Sequence, residues 1–218
     1  MKKIEKIINV YQFDELNEIA KRKALRNRIE IEQNEYCDLY LGEDMRVEAE
    51  KLLDKYFKGA ILGDVYYSLS YCQGDGAIIT FSMDIDTFNK NYHVFNDEEM
   101  RFLLEKDIIE KIEVIPSGRY YHKYAFDIDI CYNNAYWQYG YNDVKDDYNI
   151  SESDFNNMDE KLCKATSRDS AFHNDIVAMN GELEEFGYQS IEWYREDENI
   201  LQDMNDYEYL EDGSVYCE

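Results

Sequence analysis

Apolar residues recur every three or four positions in the first 58 residues, which is the spacing of one face of an α-helix. Asp14 is the predicted N-cap of a first helix, because a short acidic side chain accepts hydrogen bonds from the first free amides. The apolar positions of this helix are Leu16, Ile19, Ala20, Ala24 and Ile31. A second helix is predicted near residues 43–58, and Gly59 marks its end.

Alternation of apolar and polar residues replaces the helical spacing in the middle of the chain. In a first predicted strand, over residues 65–72, four apolar or aromatic positions share one face: Val65, Tyr67, Leu69 and Tyr71. Gln73–Gly76 is predicted as a turn and residues 77–83 as the returning strand. Residues 64–83 are therefore predicted to form a β-hairpin.

Two further strands are predicted near residues 109–115 and 119–132, with a turn at Pro116-Ser117-Gly118. A short helix over about 96–107 has Asn96 or Asp97 as its predicted cap. Helical spacing returns in the last third, and the segments predicted there are helices at 152–164, 168–194 and 197–205, then a small hairpin at 207–216. Helices on both sides of a central antiparallel sheet predict an α+β fold.

The chain contains one proline and ten glycines in 218 residues, and no segment has the composition of a linker. We therefore expect a single compact domain over residues 1–218. Its parts are the amino-terminal helices at 1–58, the sheet at 59–140 and an acidic helical part at 141–218.

Negative charge dominates the composition, with 48 acidic against 23 basic residues and a net charge of −25. The net charge is −1 over residues 1–58, −7 over residues 59–140 and −17 over residues 141–218. Such a surface repels the phosphates of nucleic acids and of anionic membranes. Basic proteins, cations and solvent remain as natural partners.

Several functional classes lack their sequence signals. No apolar run is long enough for a transmembrane helix, and the charged start lacks the apolar stretch of a signal peptide, so we expect a cytoplasmic protein. The cysteines are odd in number and widely spaced, which predicts free thiols: Cys37, Cys72, Cys131, Cys163 and Cys217. No P-loop, G-x-S-x-G, H-E-x-x-H or dinucleotide-binding motif is present, so no enzyme, metal or cofactor is predicted.

The most distinctive local feature is the predicted turn formed by Gln73, Gly74, Asp75 and Gly76. Its two glycines permit positive φ, and its amides can form a small concave nest for a ligand or cation. The alternative is a tight turn in which the glycines serve geometry alone. An uncatalogued enzyme that uses Asp75 and His122 is a further hypothesis.

Three other groups have a functional and a structural interpretation. On a strand, Asp84 and Asp86 would share one face, and so would Asp127 and Asp129. If the two strands were neighbours, the four carboxylates could bind Ca²⁺ or Mg²⁺. The alternative is that these acids lie on a solvated edge of the sheet. Residues 119–124 place His122 among tyrosines. This segment is interpreted either as a general acid or anion-binding clamp, or as a ladder of aromatic side chains across neighbouring strands. The basic residues at 21–28 have three interpretations: they contact nucleic acid or a phosphate, they face solvent, or they pair with the acidic third of the chain.

The acidic third is the candidate partner-binding surface, because a row of carboxylates resembles a row of phosphates. The residues proposed for it are Asp143, Asp146, Asp147, Glu182, Glu184, Glu185, Glu192, Glu196, Asp197 and Glu198. The alternative is a charged helical face that serves solubility.

Three segments carry a resemblance to a family. The first is Tyr11-x-Phe13-x-Glu15-Leu16-x-x-x-Ala20-Lys21-x-Lys23-Ala24, the second is Tyr67-Ser68-Leu69-Ser70-Tyr71-Cys72-Gln73-Gly74-Asp75-Gly76-Ala77, and the third runs from Met204 to Gly213. Together they resemble an uncharacterised family of phage and prophage proteins with a Y-S-L-S-Y-x-Q-G-D-G core, although Cys72 replaces a usual serine and Leu210 a usual aromatic. The resemblance implies that the chain is encoded by a mobile genetic element. It identifies no catalytic residue in this sequence.

These observations lead to one functional expectation and one alternative. The chain is expected to be a phage-encoded inhibitor of a host defence nuclease, of the anti-CRISPR or antirestriction type. In the infected bacterium its acids would compete for the positively charged nucleic-acid groove of the nuclease. The alternative is a module without catalysis that binds a small ligand or cation at residues 73–76.

Overall fold

The computed structural model describes residues 7–133, 140–194 and 196–216, without the side chains of residues 143, 144, 146, 147, 197 and 198. Its contacts divide the chain into two compact units. The sheet unit is Met45–Phe186, and the terminal unit joins Met1–Asp44 to Gly187–Glu218. The α+β class is confirmed, whereas a single domain over residues 1–218 stays a prediction.

The described elements begin with helices, continue with four strands that are interrupted by two helices after the second strand, and end with helices. The α-helices are α1 Glu18–Leu39, α2 Leu41–Tyr56, α3 Ile85–Tyr92, α4 Asp97–Glu105, α5 Tyr141–Tyr148, α6 Glu152–Ala165, α7 Ala171–Trp193 and α8 Asp197–Leu201. The strands are β1 Ile61–Ser68, β2 Gly76–Met83, β3 Ile109–Pro116 and β4 Phe126–Tyr132. Short 3₁₀ turns lie at Phe13–Glu15 and Met204–Asp206.

The four strands form one antiparallel sheet in the order β1-β2-β3-β4, which confirms the predicted central sheet and its hairpin. The register aligns one residue of each strand in a row across the sheet: Ile61, Ser82, Glu113 and Asp129. The neighbouring row contains Phe81 and Val114 and points to the opposite face, because side chains alternate along a strand. One face of the sheet is therefore polar and the other apolar.

Aromatic rings cover the apolar face. The Phe81 ring stacks on Phe57 with 4.7 Å between centroids, and Phe172 of α7 meets Phe57 edge-on at 5.6 Å. Phe172 also contacts Phe88 and Tyr92 of α3 edge-on. These five rings form the aromatic part of the core of the sheet unit, in stacked and edge-to-face arrangements.

A β-bulge interrupts the pairing of β1 with β2 between Leu62 and Val65. Thr80 of β2 satisfies the backbone there: its Oγ1 accepts a hydrogen bond from the Asp64 amide at 2.7 Å and donates one to the Asp64 carbonyl at 2.9 Å. Gly63 is required because a Cβ there would lie 2.6 Å from Thr80 Oγ1. The bulge thus brings β1 unusually close to β2.

The terminal unit is built around α1 and the last described residues. Its buried core consists of Phe13, Leu16, Ala20, Ala24, Ile200, Met204 and Tyr209. Tyr11 and Tyr209 exchange two backbone hydrogen bonds of 2.9 Å, and Tyr209 also bridges to Val215. The second bridge belongs to the small terminal hairpin that the sequence predicts.

The first helix begins later than predicted. Asn17 caps α1, because its Oδ1 accepts hydrogen bonds from the amides of Ile19 and Ala20, each at 3.0 Å. Asp14 instead lies in the preceding 3₁₀ turn. Two apolar positions assigned to the buried face are exposed, Ile19 at 83% and Ile31 at 48%.

Strand boundaries differ from the prediction at three places. β1 ends at Ser68, so Leu69 and Tyr71 lie outside it, and Tyr71 adopts a left-handed backbone with φ 56°. β4 begins only at Phe126, so residues 119–125 form a loop. A helix, α3, follows β2 where the sequence analysis placed Asp84 and Asp86 on a strand.

Candidate functional site

Asp75 organises the loop between β1 and β2. Its Oδ2 accepts a hydrogen bond from the Cys72 amide at 2.8 Å, and its Oδ1 accepts from the Ser68 hydroxyl at 2.8 Å and the Cys72 thiol at 3.1 Å. Partial burial acts to raise the pKa of Asp75, but these hydrogen bonds outweigh it and lower the pKa to about 2. Both oxygens of this carboxylate are therefore engaged by the loop's own donors.

The two glycines of the loop allow a second loop, residues 117–125, to approach closely. Gly74 has φ +98°, and a Cβ there would lie 2.3 Å from the Tyr120 ring. Gly76 has φ +151°, and its Cβ would lie 2.6 Å from the Tyr121 carbonyl. Both glycines are thus required by geometry, which favours the structural interpretation of residues 73–76 over a ligand nest.

The aromatic segment 119–124 is the loop that packs against these glycines. The prediction that this segment belongs to a strand over residues 119–132 is wrong, because the segment precedes β4. Tyr121 stacks on Tyr66 of β1 with 5.7 Å between centroids, and exposed His122 accepts a hydrogen bond from the Tyr124 amide at its Nδ1. The tyrosines therefore cover one end of the polar sheet face.

Asn180 is the residue of this region that the sequence analysis missed. It lies on α7 and is fully buried, with 0% exposure. Its Oδ1 accepts a hydrogen bond from the Ile79 amide at 2.9 Å, and its Nδ2 donates to the Lys123 carbonyl at 3.3 Å. One amide side chain therefore joins α7 to β2 and to the 117–125 loop.

The two Asp-x-Asp pairs have different surroundings. Asp84 caps α3 through a 2.6 Å hydrogen bond from the Thr87 amide, and Asp86 forms an ion pair with Lys90 in the same helix. Asp127 and Asp129 do share one exposed face, on β4. Because β2 and β4 are separated by β3, the sheet does not bring the four carboxylates together.

The described part of the chain contains no cluster of side chains that could bind a metal ion. Within residues 7–133, 140–194 and 196–216, no group of three or more His, Cys, Asp or Glu side chains is arranged to hold a metal ion. Four cysteines are free thiols: Cys37, Cys72, Cys131 and Cys163. Cys217 lies outside the described residues. The described helices include none that is both long and apolar enough to cross a bilayer.

The ten acids proposed for partner binding divide into three groups. The side chains of Asp143, Asp146, Asp147, Asp197 and Glu198 lie outside the described residues. Glu182 is engaged within the sheet unit, where it pairs with Lys55 at 2.6 Å and accepts a 2.6 Å hydrogen bond from the Tyr56 hydroxyl. The hydrogen bond from Lys55 is the main reason that the pKa of Glu182 is lowered.

The remaining proposed acids lie at the surface. Glu185, Glu192 and Glu196 are exposed, and Glu184 is half-buried. Glu196 accepts a hydrogen bond of 3.3 Å from Asn199 at the start of α8. Four of the ten proposed residues therefore lie where solvent or a partner can reach them. Their position alone assigns them no function.

The predicted pairing of the basic α1 residues with the acidic third of the chain is confirmed for Lys23. Lys23 forms an ion pair of 2.6 Å with Asp212 and donates a 3.1 Å hydrogen bond to Ser214. Arg28 lies over the Tyr207 ring, 4.4 Å from its centroid. The cations thus contact the acidic third of the chain within the terminal unit.

The three segments on which the expected family resemblance was based make structural contacts within the chain. Residues of the first segment contact those of the third: Asp14 and Asn205 exchange hydrogen bonds, and Gly213 packs on the Ala20 carbonyl. The second segment is the loop closed by Asp75. Packing and hydrogen bonds within the chain therefore explain residues of each motif without a ligand.

In comparisons with protein-family models, with curated proteins and with solved structures, nothing matches this chain.

Proposed function

We propose that this chain is a phage-encoded acidic inhibitor of a host defence nuclease, of the anti-CRISPR or antirestriction type. It acts in the cytoplasm of the infected bacterium and occupies the positively charged nucleic-acid groove of its target. Its carboxylates take the place of phosphates, so it mimics DNA or RNA and catalyses no reaction.

The observation that carries this proposal is the charge of residues 141–218, where 22 acidic side chains accompany only five basic ones. Five cations are too few to neutralise these acids internally, and an imbalance of this size exceeds what solubility requires. The exposure of Glu185, Glu192 and Glu196 supports the proposal. A strongly negative protein is attracted to a groove lined with lysine and arginine, which accelerates association.

Displacement of nucleic acid from purified nucleases tests the proposal. A labelled duplex is bound to each member of a panel that contains guide-loaded CRISPR effectors and restriction nucleases, and the chain is added as competitor. We expect displacement from at least one nuclease, with a loss of potency as salt rises, because the contacts are electrostatic. Failure to displace the duplex from every member at low salt would contradict the proposal.

A matched pair of variants separates location from total charge. The variant E184Q/E185Q/E192Q removes three of the proposed acids, whereas E30Q/E35Q/D54N removes three exposed acids from the nearly neutral first 58 residues. We expect the first variant to be about fivefold weaker or worse and the second to change by less than about twofold. Equal weakening would show that only net charge matters.

A further inference from the structure

The polar face of the sheet contains a groove of about 290 Å³ that crosses β1, β2 and β3. Small side chains form its floor, Thr80 and Ser82 on β2 together with Gly63 of the bulge. Taller side chains border it, Ile61 on β1 and Ile115 on β3. The difference in side-chain size between the central strand and its neighbours therefore creates the depression.

Two features make this groove unusual for a solvated surface. Ile61 is 70% exposed and Ile115 is 39% exposed, so aliphatic side chains stand on both sides of it. Around them lie four carboxylates, those of Asp64, Glu113, Asp127 and Asp129. Apolar side chains within a charged rim are the composition of a binding surface rather than of a solvated one.

Charge indicates the occupant. Lys111 is the one cation in the rows of β3 and β4 residues on this face, and it already pairs with Glu113 at 2.6 Å. Within the described part of the chain, Asp127 and Asp129 have no ion-pair partner. A second copy of this chain, at a net charge of −25, is repelled, and so is a nucleic acid.

We propose that this groove docks a protein segment in which arginine and aliphatic residues alternate. The aliphatic side chains and the apolar stems of the arginines lie between Ile61 and Ile115, and the guanidinium groups pair with Asp127 and Asp129. The segment belongs to a basic partner protein. The site shares no residue with the acids of residues 141–218, so it adds a binding surface to the one proposed above and stands without it.

Fluorescence anisotropy with synthetic peptides tests this docking surface. The probe is a labelled peptide of alternating arginine and leucine, and the comparison peptide alternates arginine and serine with the same charge. We expect the arginine-leucine peptide to bind and the arginine-serine peptide to bind at least about fivefold more weakly, because it lacks the apolar contact. Equal binding of the two peptides, or binding of neither, overturns the proposal.

Variants locate the contact. I61S removes one border of the groove, and D127N/D129N removes two exposed carboxylates. Each variant is expected to bind the arginine-leucine peptide about fivefold more weakly. The matched control E152Q/E160Q removes two exposed carboxylates from α6 and is expected to change binding by less than about twofold. Near-ultraviolet circular dichroism verifies folding of each variant. Any other pattern of peptide affinities among the folded variants overturns the proposal. The assay contains no nuclease, so its result does not depend on the function proposed above.

Discussion

The sheet unit takes its residues from one continuous stretch of the chain, whereas the terminal unit joins two stretches that are about 140 residues apart. The sheet unit packs large rings, those of Phe57, Phe81 and Phe172, against a sheet. The terminal unit combines large apolar side chains with two alanines, Ala20 and Ala24, and Gly213 closely approaches the backbone of α1 at Ala20. Both units therefore bury large apolar side chains, and the terminal unit adds a close backbone contact between its two stretches of chain.

This difference predicts different sensitivities. A core of large rings tolerates small changes at its surface, but it depends on each buried polar group keeping its hydrogen bonds. A contact between backbones leaves no room for an additional methyl group. Three substitutions test these expectations, beginning with the largest effect.

Gly213→Ala is expected to be the most damaging. Gly213 has φ +84°, and an added Cβ would lie 2.2 Å from the Ala20 carbonyl oxygen, which belongs to the helix backbone and cannot move aside. We expect a loss of at least about 3 kcal/mol of unfolding free energy, the sum of the left-handed backbone cost and the steric overlap. Urea denaturation measures the loss, and hydrogen exchange in α1 localises it.

Gly118→Ala is the control for this substitution, because Gly118 has nearly the same φ, +87°, but nothing lies within 4 Å of its added Cβ. Only the backbone cost of about 1–2 kcal/mol is expected there. If both variants lose the same free energy, close approach is not what stabilises the terminal unit, and the contrast between the units is lost.

Asn180→Leu tests the dependence of the sheet unit on its buried amide. The substitution leaves the Ile79 amide and the Lys123 carbonyl without their side-chain partner. We expect a loss of about 2–3 kcal/mol, the cost of an unsatisfied buried group, together with faster hydrogen exchange at the Ile79 amide. Asn174→Leu, at an exposed position of the same helix, is expected to change the stability by less than about 0.5 kcal/mol.

Unchanged exchange at Ile79 in Asn180→Leu would mean that this hydrogen bond contributes little. The sheet unit would then depend on ring packing alone, and the comparison between the units would become sharper.

Asp75→Asn is expected to have the smallest effect of the three, about 1–2 kcal/mol at neutral pH, because it weakens charge-assisted hydrogen bonds in a loop. The pKa of Asp75 is lowered from 3.8 to about 2 in the folded chain, so its contribution is present above about pH 4. It is lost as the pH falls towards 2. The measurement is the free energy of unfolding against pH for the original chain and the variant.

The difference between the two curves should shrink between about pH 4 and pH 2. Asp54→Asn, an exposed charge change in the same unit, is the control and should shift stability by less than about 0.5 kcal/mol. A constant difference across this pH range would show that the Asp75 carboxylate is not what holds the loop.

The sequence predicted most elements of the sheet unit because they depend on local spacing. The hairpin and the Asn96 cap of α4 both follow from residues within a few positions of one another. The predicted turn at residues 116–118 was wrong, because Pro116 belongs to β3 and residues 117–125 form a longer loop. α3 was missed because Asp84-Ile85-Asp86 alternates as a strand does. A signal for this helix is nonetheless present, since Ile85, Phe88 and Tyr92 follow helical spacing behind the Asp84 cap.

Contacts between distant residues were beyond what local spacing can show. Nothing in the sequence around Asn180 marks it as a buried bridge, because an amide on a helix is usually exposed. The pairing of Tyr11 with Tyr209 likewise depends on residues nearly two hundred positions apart. Charge was the exception, since the expected pairing of α1 cations with the acidic third was confirmed for Lys23 and Asp212.

The backbone pairing of Tyr11 with Tyr209 has a consequence for synthesis on the ribosome. Residues 7–44 emerge before the sheet unit, yet their partners in the terminal unit, residues 187–216, emerge only after it. At a translation rate of about 5–20 residues per second, α1 waits roughly ten seconds or more for them, while residues 45–186 emerge as one uninterrupted stretch. The apolar face of α1 is therefore without these partners while residues 45–186 are synthesised, and the terminal unit can form only after the whole sheet unit has been made.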